Sequence, residues 1–336
     1  MILREFLYVD TDKVRGMQAQ LDGGIAEEEH QTNKSDKKTE VGPKSIGAHS
    51  RGWSEESYVQ KSLGDALFQV LEETLYSQGL LRDLSDELSN PAFWYSDNLR
   101  EEVPPGTLVR ITSTGSLFDA RYAASILAGF GTTYSGLQQL GTIPTTSKKP
   151  PAGKPRDPKT TSTANGINQP EDLIPEFGPA SQTTDGHDVD AKFFRSIVKV
   201  ARGMFTPGLH LNLSPTNEDQ LVIGARLQEG RRFLDSETEI LFARYGVGKQ
   251  LWTLVGSIGH YARPEDMLQP KNLSLIDDEN RVIRVRFANY INSYMRFAGS
   301  LGFADVPQYP SFSVVPLAVY RSIPRLTPAE LAKVTQ

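Results

Sequence analysis

Two carboxylates stand one residue apart at the end of a short apolar run, Phe6-Leu-Tyr-Val-Asp10-Thr-Asp12-Lys-Val14. The arrangement suits phosphoryl transfer. One carboxylate at the mouth of a strand can attack phosphorus and a second can protonate the leaving group. Both can ligate Mg²⁺, a hard cation that prefers oxygen. Two further pieces follow in the matching order: a hydroxyl at Thr112, in Ile111-Thr112-Ser113, and a late acidic pair, Asp277-Asp278. A Mg²⁺-dependent phosphohydrolase using Asp10 and Asp12 is therefore one reading of the chain.

Such a site, of haloacid-dehalogenase-like type, needs strands and helices that alternate to build a parallel sheet. The remaining elements read otherwise. Phe6–Val9 is a strand. Asp10 or Thr11 caps a helix over about 12–21, with Val14, Met17 and Leu21 on one stripe and Gly23-Gly24 as its stop. On this reading the aspartates serve the positive end of a helix. Residues 25–55 are polar and charged by turns and read as a mobile loop. A long amphipathic helix follows over about 56–80, then a strand over 107–114. Ser116-Leu-Phe-Asp119 resembles a capping box opening a helix to about 129.

Residues 141–188 are rich in Pro, Thr, Ser, Gly and Lys and read as a flexible linker. Beyond a helix near 190–203 come four strand candidates, at 210–214, 220–227, 239–245 and 250–258. Turn residues separate them, as in an antiparallel meander. A helix over 284–301, carrying Val285, Phe287, Tyr290, Ile291, Tyr294, Met295, Ala298 and Leu301, is expected to pack across that sheet. Phe312–Tyr320 is a late strand whose Pro316 suggests an edge, and Thr327-Pro-Ala-Glu330 opens a last helix. The fold class expected is α+β. An N-terminal α+β domain (1–140) with long amphipathic helices, the linker (141–188) and a C-terminal sheet-and-helix domain (189–336) make up the chain. The two halves are free to share one core.

Composition narrows the function classes. The 336 residues carry no cysteine, which removes disulfides, thiolate zinc sites and cysteine nucleophiles. The histidines are scattered without ligand spacing, and Gly246-Val-Gly248-Lys249 lacks the flanking residues of a phosphate loop. No cofactor is expected outside the Mg²⁺ of the phosphohydrolase reading. A net charge of −5 argues against a general nucleic-acid binder. Two local basic groups remain as candidate contact surfaces: Lys148, Lys149, Lys154, Arg156 and Lys159 in the linker, and Arg281, Arg284 and Arg286 before and within the late helix. Neither a membrane-spanning run nor a signal peptide is apparent, so a cytoplasmic location is expected.

One ordered set of short motifs goes further. Phe6-Leu-Tyr-Val-Asp10, Val14 and Ala19-Gln-Leu-Asp-Gly-Gly24 come first. Phe233-Leu234, Glu239-Ile-Leu-Phe-Ala-Arg-Tyr-Gly246, Trp252-Thr-Leu-Val-Gly256 and Val315-Pro-Leu-Ala-Val-Tyr-Arg321 follow. Together they resemble the bacterial family DUF6414; residues 25–55 and 141–188 fall outside the likeness. The family has no established catalytic residues, so none is carried over. One member type is the small component of the two-gene anti-phage system Dodola, whose other gene encodes a ClpB-like AAA+ ATPase. The resemblance thus implies a non-enzymatic defence protein that meets this ATPase as sensor, adaptor or regulated effector. By analogy with the ring it would meet, it implies a homo-oligomer. Nucleic-acid binding through the two basic groups is the third reading.

Overall fold

β1 (Arg4–Val9) runs directly into α1 (Thr11–Leu21), and Asp10 makes the join. The computed structural model describes residues 3–21, 55–141, 181–182, 188–189, 191–230, 232–268, 275–277 and 279–324. Most of the expected loop (25–54) and linker (142–180), and the helix start at 327–330, lie outside these residues. α2 (Glu55–Ser77) crosses α1 at Gly64, where a Cβ would collide with the Thr11 side chain. Its Phe68, Leu71 and Leu75 are buried with Phe6, Val9, Val14, Leu317 and Tyr320 in one apolar cluster. Gly79, at φ +71°, stops the helix in the left-handed conformation that glycine tolerates.

β2 (Leu81–Asp83) leads through a 3₁₀ turn to two short helices, α3 (Pro91–Tyr95) and α4 (Asp97–Glu102). These carry Trp94 and Leu99 into the main core. Trp94 is fully buried, and its indole N–H donates to the Leu88 carbonyl at 2.9 Å. β3 (Leu108–Phe118) then alternates inward and outward along its whole length. At Gly115 it changes partner, pairing with β8 up to Gln250 and with β6 from Leu213 onward. A Cβ at Gly115 would lie 2.7 Å from the Asn212 carbonyl, so only glycine lets the strands approach there.

The expected capping box at 116–119 is corrected. Leu117 points into the core as the last inward residue of β3, and the cap is Asp119, whose Oδ1 accepts from the N–H groups of Arg121 (2.7 Å) and Tyr122 (3.2 Å). α5 (Ala120–Gln139) starts there. A two-residue ribbon, β4 (Ser181–Gln182) with β5 (Asp188–Val189), precedes α6 (Ala191–Met204). The hairpin of β6 (Leu209–Leu213) and β7 (Ile223–Leu227) follows. α7 (Thr238–Tyr245), β8 (Gln250–Tyr261), α8 (Arg284–Ser300) and β9 (Phe312–Ser322) complete the described elements.

The fold is mixed α+β. Strands from both ends of the chain share one seven-stranded sheet, ordered β1-β9-β7-β6-β3-β2, with β8 bridging β3 and β9. The strands β3, β6, β7, β9 and β8 thereby form a partly closed barrel. Its weakest seam is β7–β9, a parallel contact over two residue pairs only. Val109, Ile111, Leu211, Ile223, Trp252 and Phe312 lie in the core cluster.

Three expectations fail here. Residues 239–245 are not a strand, so there is no four-strand meander. Leu241, Phe242 and Tyr245 fall on one helical face and are buried together. Phe242 stacks on Tyr122 at 4.2 Å, and Tyr245 meets the Trp252 ring edge-on at 5.2 Å. Pro316 does not mark an edge. β9 is paired with β1, β7 and β8, and Pro316 sits at a bulge where the register jumps from Ala318 to Pro316 opposite Val255 and Gly256. The bulge frees the proline from the ladder hydrogen bond it cannot donate. α8 does not cross the sheet: among its residues only Gly299 is fully buried, against Val306.

Candidate functional site

The two leading aspartates occupy unlike environments. Asp10 is buried. Its Oδ1 accepts from the Lys13 N–H at 3.1 Å, its Oδ2 lies 2.8 Å from the Lys13 ammonium, and its own N–H donates to the Leu317 carbonyl at 2.7 Å. It is a helix cap locked to β9. The adjacent Tyr8 phenol is pushed well above its ordinary range by burial and then by the Asp10 charge. Asp12 points outward and pairs with Arg232 at the surface.

Thr112 lies mid-strand in β3. Its hydroxyl shares a hydrogen bond with Thr253 at 2.9 Å and its N–H donates to Ser85 Oγ at 2.9 Å. Thr112, Thr253, Tyr320 and Phe6 face one another across four strands. Asp10 is four residues beyond Phe6, an offset along the strands alone of about 13 Å. Asp277 is in a separate hairpin, and Asp278 lies outside the described residues. The structure therefore does not bring Asp10, Thr112 and Asp277 together. Among the described residues no group of three histidines and carboxylates has metal-site geometry.

The linker residues Lys148, Lys149, Lys154, Arg156 and Lys159 also lie outside the described residues. The second basic group is built on a hairpin closed by the Ile276–Val282 bridge. Asp277 accepts from the Arg281 and Glu279 backbone N–H groups and from Arg281 Nε at 3.0 Å. The Arg281 backbone hydrogen bond is the main reason its carboxyl is held below the usual range. This turn aims the chain into α8, where Arg284 and Arg286 occupy the first turn.

α8 contains three arginines and no acidic residue. Phe287, Ile291, Tyr294 and Met295 recur at helical spacing and share one side. They are 47%, 43%, 46% and 61% exposed, far more than a helix packed on a sheet would leave. Tyr290, Ser293, Phe297 and Ser300 form the adjoining half-buried side, and Tyr290 meets Tyr294 at the border, ring centroids 4.9 Å apart. The short turn at Pro264–Met267 packs beside the helix, and Arg296 Nε lies 3.9 Å from Asp266 Oδ1 there. The result is a cationic, apolar and aromatic ridge, Phe287–Met295 with Arg284 and Arg286. Sequence reasoning took its apolar side for core. The overlooked signal was the company those residues keep, three arginines with no balancing carboxylate in the same helix.

The model of the family DUF6414, described as a domain of unknown function, matches residues 3–320. The chain belongs to this family. No curated protein and no solved structure gives a match. The DUF6414 match takes in the barrel, the helices α1 and α2 and the α8 ridge alike. No described helix of this DUF6414 protein is long and apolar enough to cross a membrane.

Proposed function

We propose that this DUF6414 protein is a non-enzymatic, cytoplasmic component of a bacterial anti-phage defence system that works by protein–protein contact. Its partner is a ClpB-like AAA+ ATPase, which it serves as sensor, adaptor or regulated effector. The identity of the partner rests on the likeness to the small Dodola component. The observation that supports a contact function is the α8 ridge, which no described residue covers. Apolar surface of this kind on one helix, flanked by arginines, is costly in water unless a partner covers it. The residues with catalytic potential are meanwhile engaged in capping, cross-strand pairing and hairpin closure. A homo-oligomer would present several such ridges to an ATPase ring.

The ridge sets the scale of the test. Each of Phe287, Ile291 and Met295 is about half exposed, so covering it contributes about 1 kcal/mol. Truncating all three to serine should weaken the complex by about 3 kcal/mol, or ~100-fold. The triple variant should fold normally, fail to co-purify with a co-expressed ClpB-like ATPase of the Dodola type, and lose phage protection. Undiminished co-purification would refute α8 as the contact. Asp10→Asn supplies the enzymatic control, since asparagine caps as well as aspartate but cannot accept a phosphoryl group. It should protect fully.

A further inference from the structure

A cleft of about 670 Å³ opens on the outer face of the barrel, between β6, β7 and β9 on one side and the 300–309 loop on the other. Its floor is a row of paired positions across three strands, Asn212, Gly224 and Ser313. Gly224 is the unusual member. It lies inside a strand, its φ is not in the left-handed region, and a Cβ built on it would meet nothing within 4 Å. No turn, backbone conformation or close neighbour requires glycine there. By contrast, Gly115 and Gly256 are each filled by an adjoining strand. Glycine weakens a strand interior and marks places where a ligand or another backbone comes close.

The groups around this bare floor define what would lie on it. Asn212 is half-buried and lines the cleft, and its side-chain amide makes no hydrogen bond among the described residues. It offers one donor and one acceptor side, the complement of a main-chain amide. Arg226 lines the cleft and donates Nη2 to the Pro207 carbonyl at 2.7 Å; its guanidinium has further N–H donors, enough to hold one carboxylate. Phe205, Val306 and Tyr309 add apolar surface. Asp219 and Asp305 also line the cleft, which disfavours a multiply charged phosphate.

The wall is held in place. Asp305 Oδ2 accepts from the Thr206 N–H at 3.2 Å and lies 3.6 Å from His210 Nε2, and Gln308 donates to the Ser300 carbonyl at 3.0 Å. The volume is within the range of about 300–1,000 Å³ typical of small-ligand sites.

We propose that this cleft binds a short extended peptide segment bearing one carboxylate, its main chain lying over Gly224 beside Asn212 and its carboxylate on Arg226. The test is to pan a random heptapeptide display library on the full chain, then measure the enriched peptides by fluorescence polarisation. The enriched sequences should carry an acidic side chain or a free C-terminal carboxylate. Gly224→Val should fold normally, because its side chain has room and suits a strand, and should weaken binding at least tenfold. Arg226→Gln, at an exposed position, should weaken the acidic peptide and leave its amide analogue unchanged. It carries the test should Gly224→Val not fold. The α8 triple variant should bind the peptide as the parent does, which separates this site from the partner ridge. No enrichment, peptides insensitive to both cleft variants, or peptides lost in the α8 variant would overturn the proposal. So would binding of ATP alone that Gly224→Val abolishes.

Discussion

Glu72 tests how α2 is fastened to the barrel. Its carboxylate is almost fully buried. Arg4 Nη2 approaches Oε2 to 2.9 Å, the Tyr320 hydroxyl donates to Oε1 at 2.8 Å, and Arg110 Nη1 reaches Oε1 at 3.4 Å. The three partners belong to β1, β9 and β3. Arg110 holds a second carboxylate, with Nε 2.8 Å from Asp83 Oδ2, so it would not be stranded by losing Glu72. Arg4 would be, with only the face of Tyr320 at 5.0 Å left beside it among the described residues. Breaking a buried pair on one side costs about 3–5 kcal/mol. With one of two arginines still paired, Glu72→Ala should cost about 3 kcal/mol, the lower end.

Glu72→Gln can keep the Tyr320 hydrogen bond through its carbonyl oxygen, but its NH₂ faces Arg4 and the charge that both arginines pair with is gone, so it should fall between the parent and the alanine, at a cost of about 2 kcal/mol. Replacing both Arg4 and Glu72 with methionine removes the stranded charge but leaves the Tyr320 hydroxyl without its acceptor, so it should recover to within about 2 kcal/mol of the parent. Urea unfolding followed by tryptophan fluorescence resolves these differences, since 3 kcal/mol moves the midpoint by about 1 M. A Glu72→Ala cost below about 1 kcal/mol would refute the reasoning. So would a Glu72→Gln variant as damaged as the alanine, or a double variant less stable than Glu72→Ala.

Two further outcomes follow from packing and burial. Gly64→Ala should destabilise by about 1–3 kcal/mol in the same assay, because the new methyl group collides with Thr11 where two helices cross; a neutral result would mean that α1 can back away. Burial pushes the phenols of Tyr8, Tyr261 and Tyr320 far above their ordinary value and that of Tyr245 up to about 12. A folded-state pKa raised above the unfolded one stabilises fully below the unfolded value and is lost as pH rises. Stability should therefore hold to about pH 10 and then fall by on the order of 1 kcal/mol per pH unit for each buried phenol. Phenolate absorbance should show a subset of tyrosines that ionise only as the protein unfolds, and a smooth titration of all of them in the folded state would contradict it.

What the sequence made legible was local. β1, α1, α2, α6 and β9 each carry their own caps, stripes or stops, and their bounds fall within a few residues of the expected ones. Residues 239–245 were not legible because Ile240-Leu-Phe fits both a strand and a buried helix. The choice is made by Tyr122, distant in sequence, and by Trp252 on the strand that follows, which offer rings to Phe242 and Tyr245. Leu117 extends β3 because the barrel needs an inward residue there. The pair Asp10-x-Asp12 was conspicuous from spacing alone, yet its chemistry depends on distances between strands, which spacing does not carry. The α8 pattern revealed that the helix has an apolar side but not whether anything covers it. Gly224 gave no signal at all: a glycine in a strand is informative only once its surroundings are seen to be empty.

The outer surface of the barrel divides into two territories of opposite character. Where α2 lies, the outward residues are apolar or bury one carboxylate among cations: Phe6, Val255, Tyr320 and the Glu72 group. Across β6 and β7 the outward residues are His210, Asn212, Gly224 and Arg226, at positions where a covering helix would require large apolar side chains. The polar face is thus built to remain open. The 300–309 loop bounds this open face and also fixes the root of α8, since Val306 fills the space beside Gly299 and walls the cleft. A ligand lying on the strands and a partner gripping the helix would press on the same few residues from two sides.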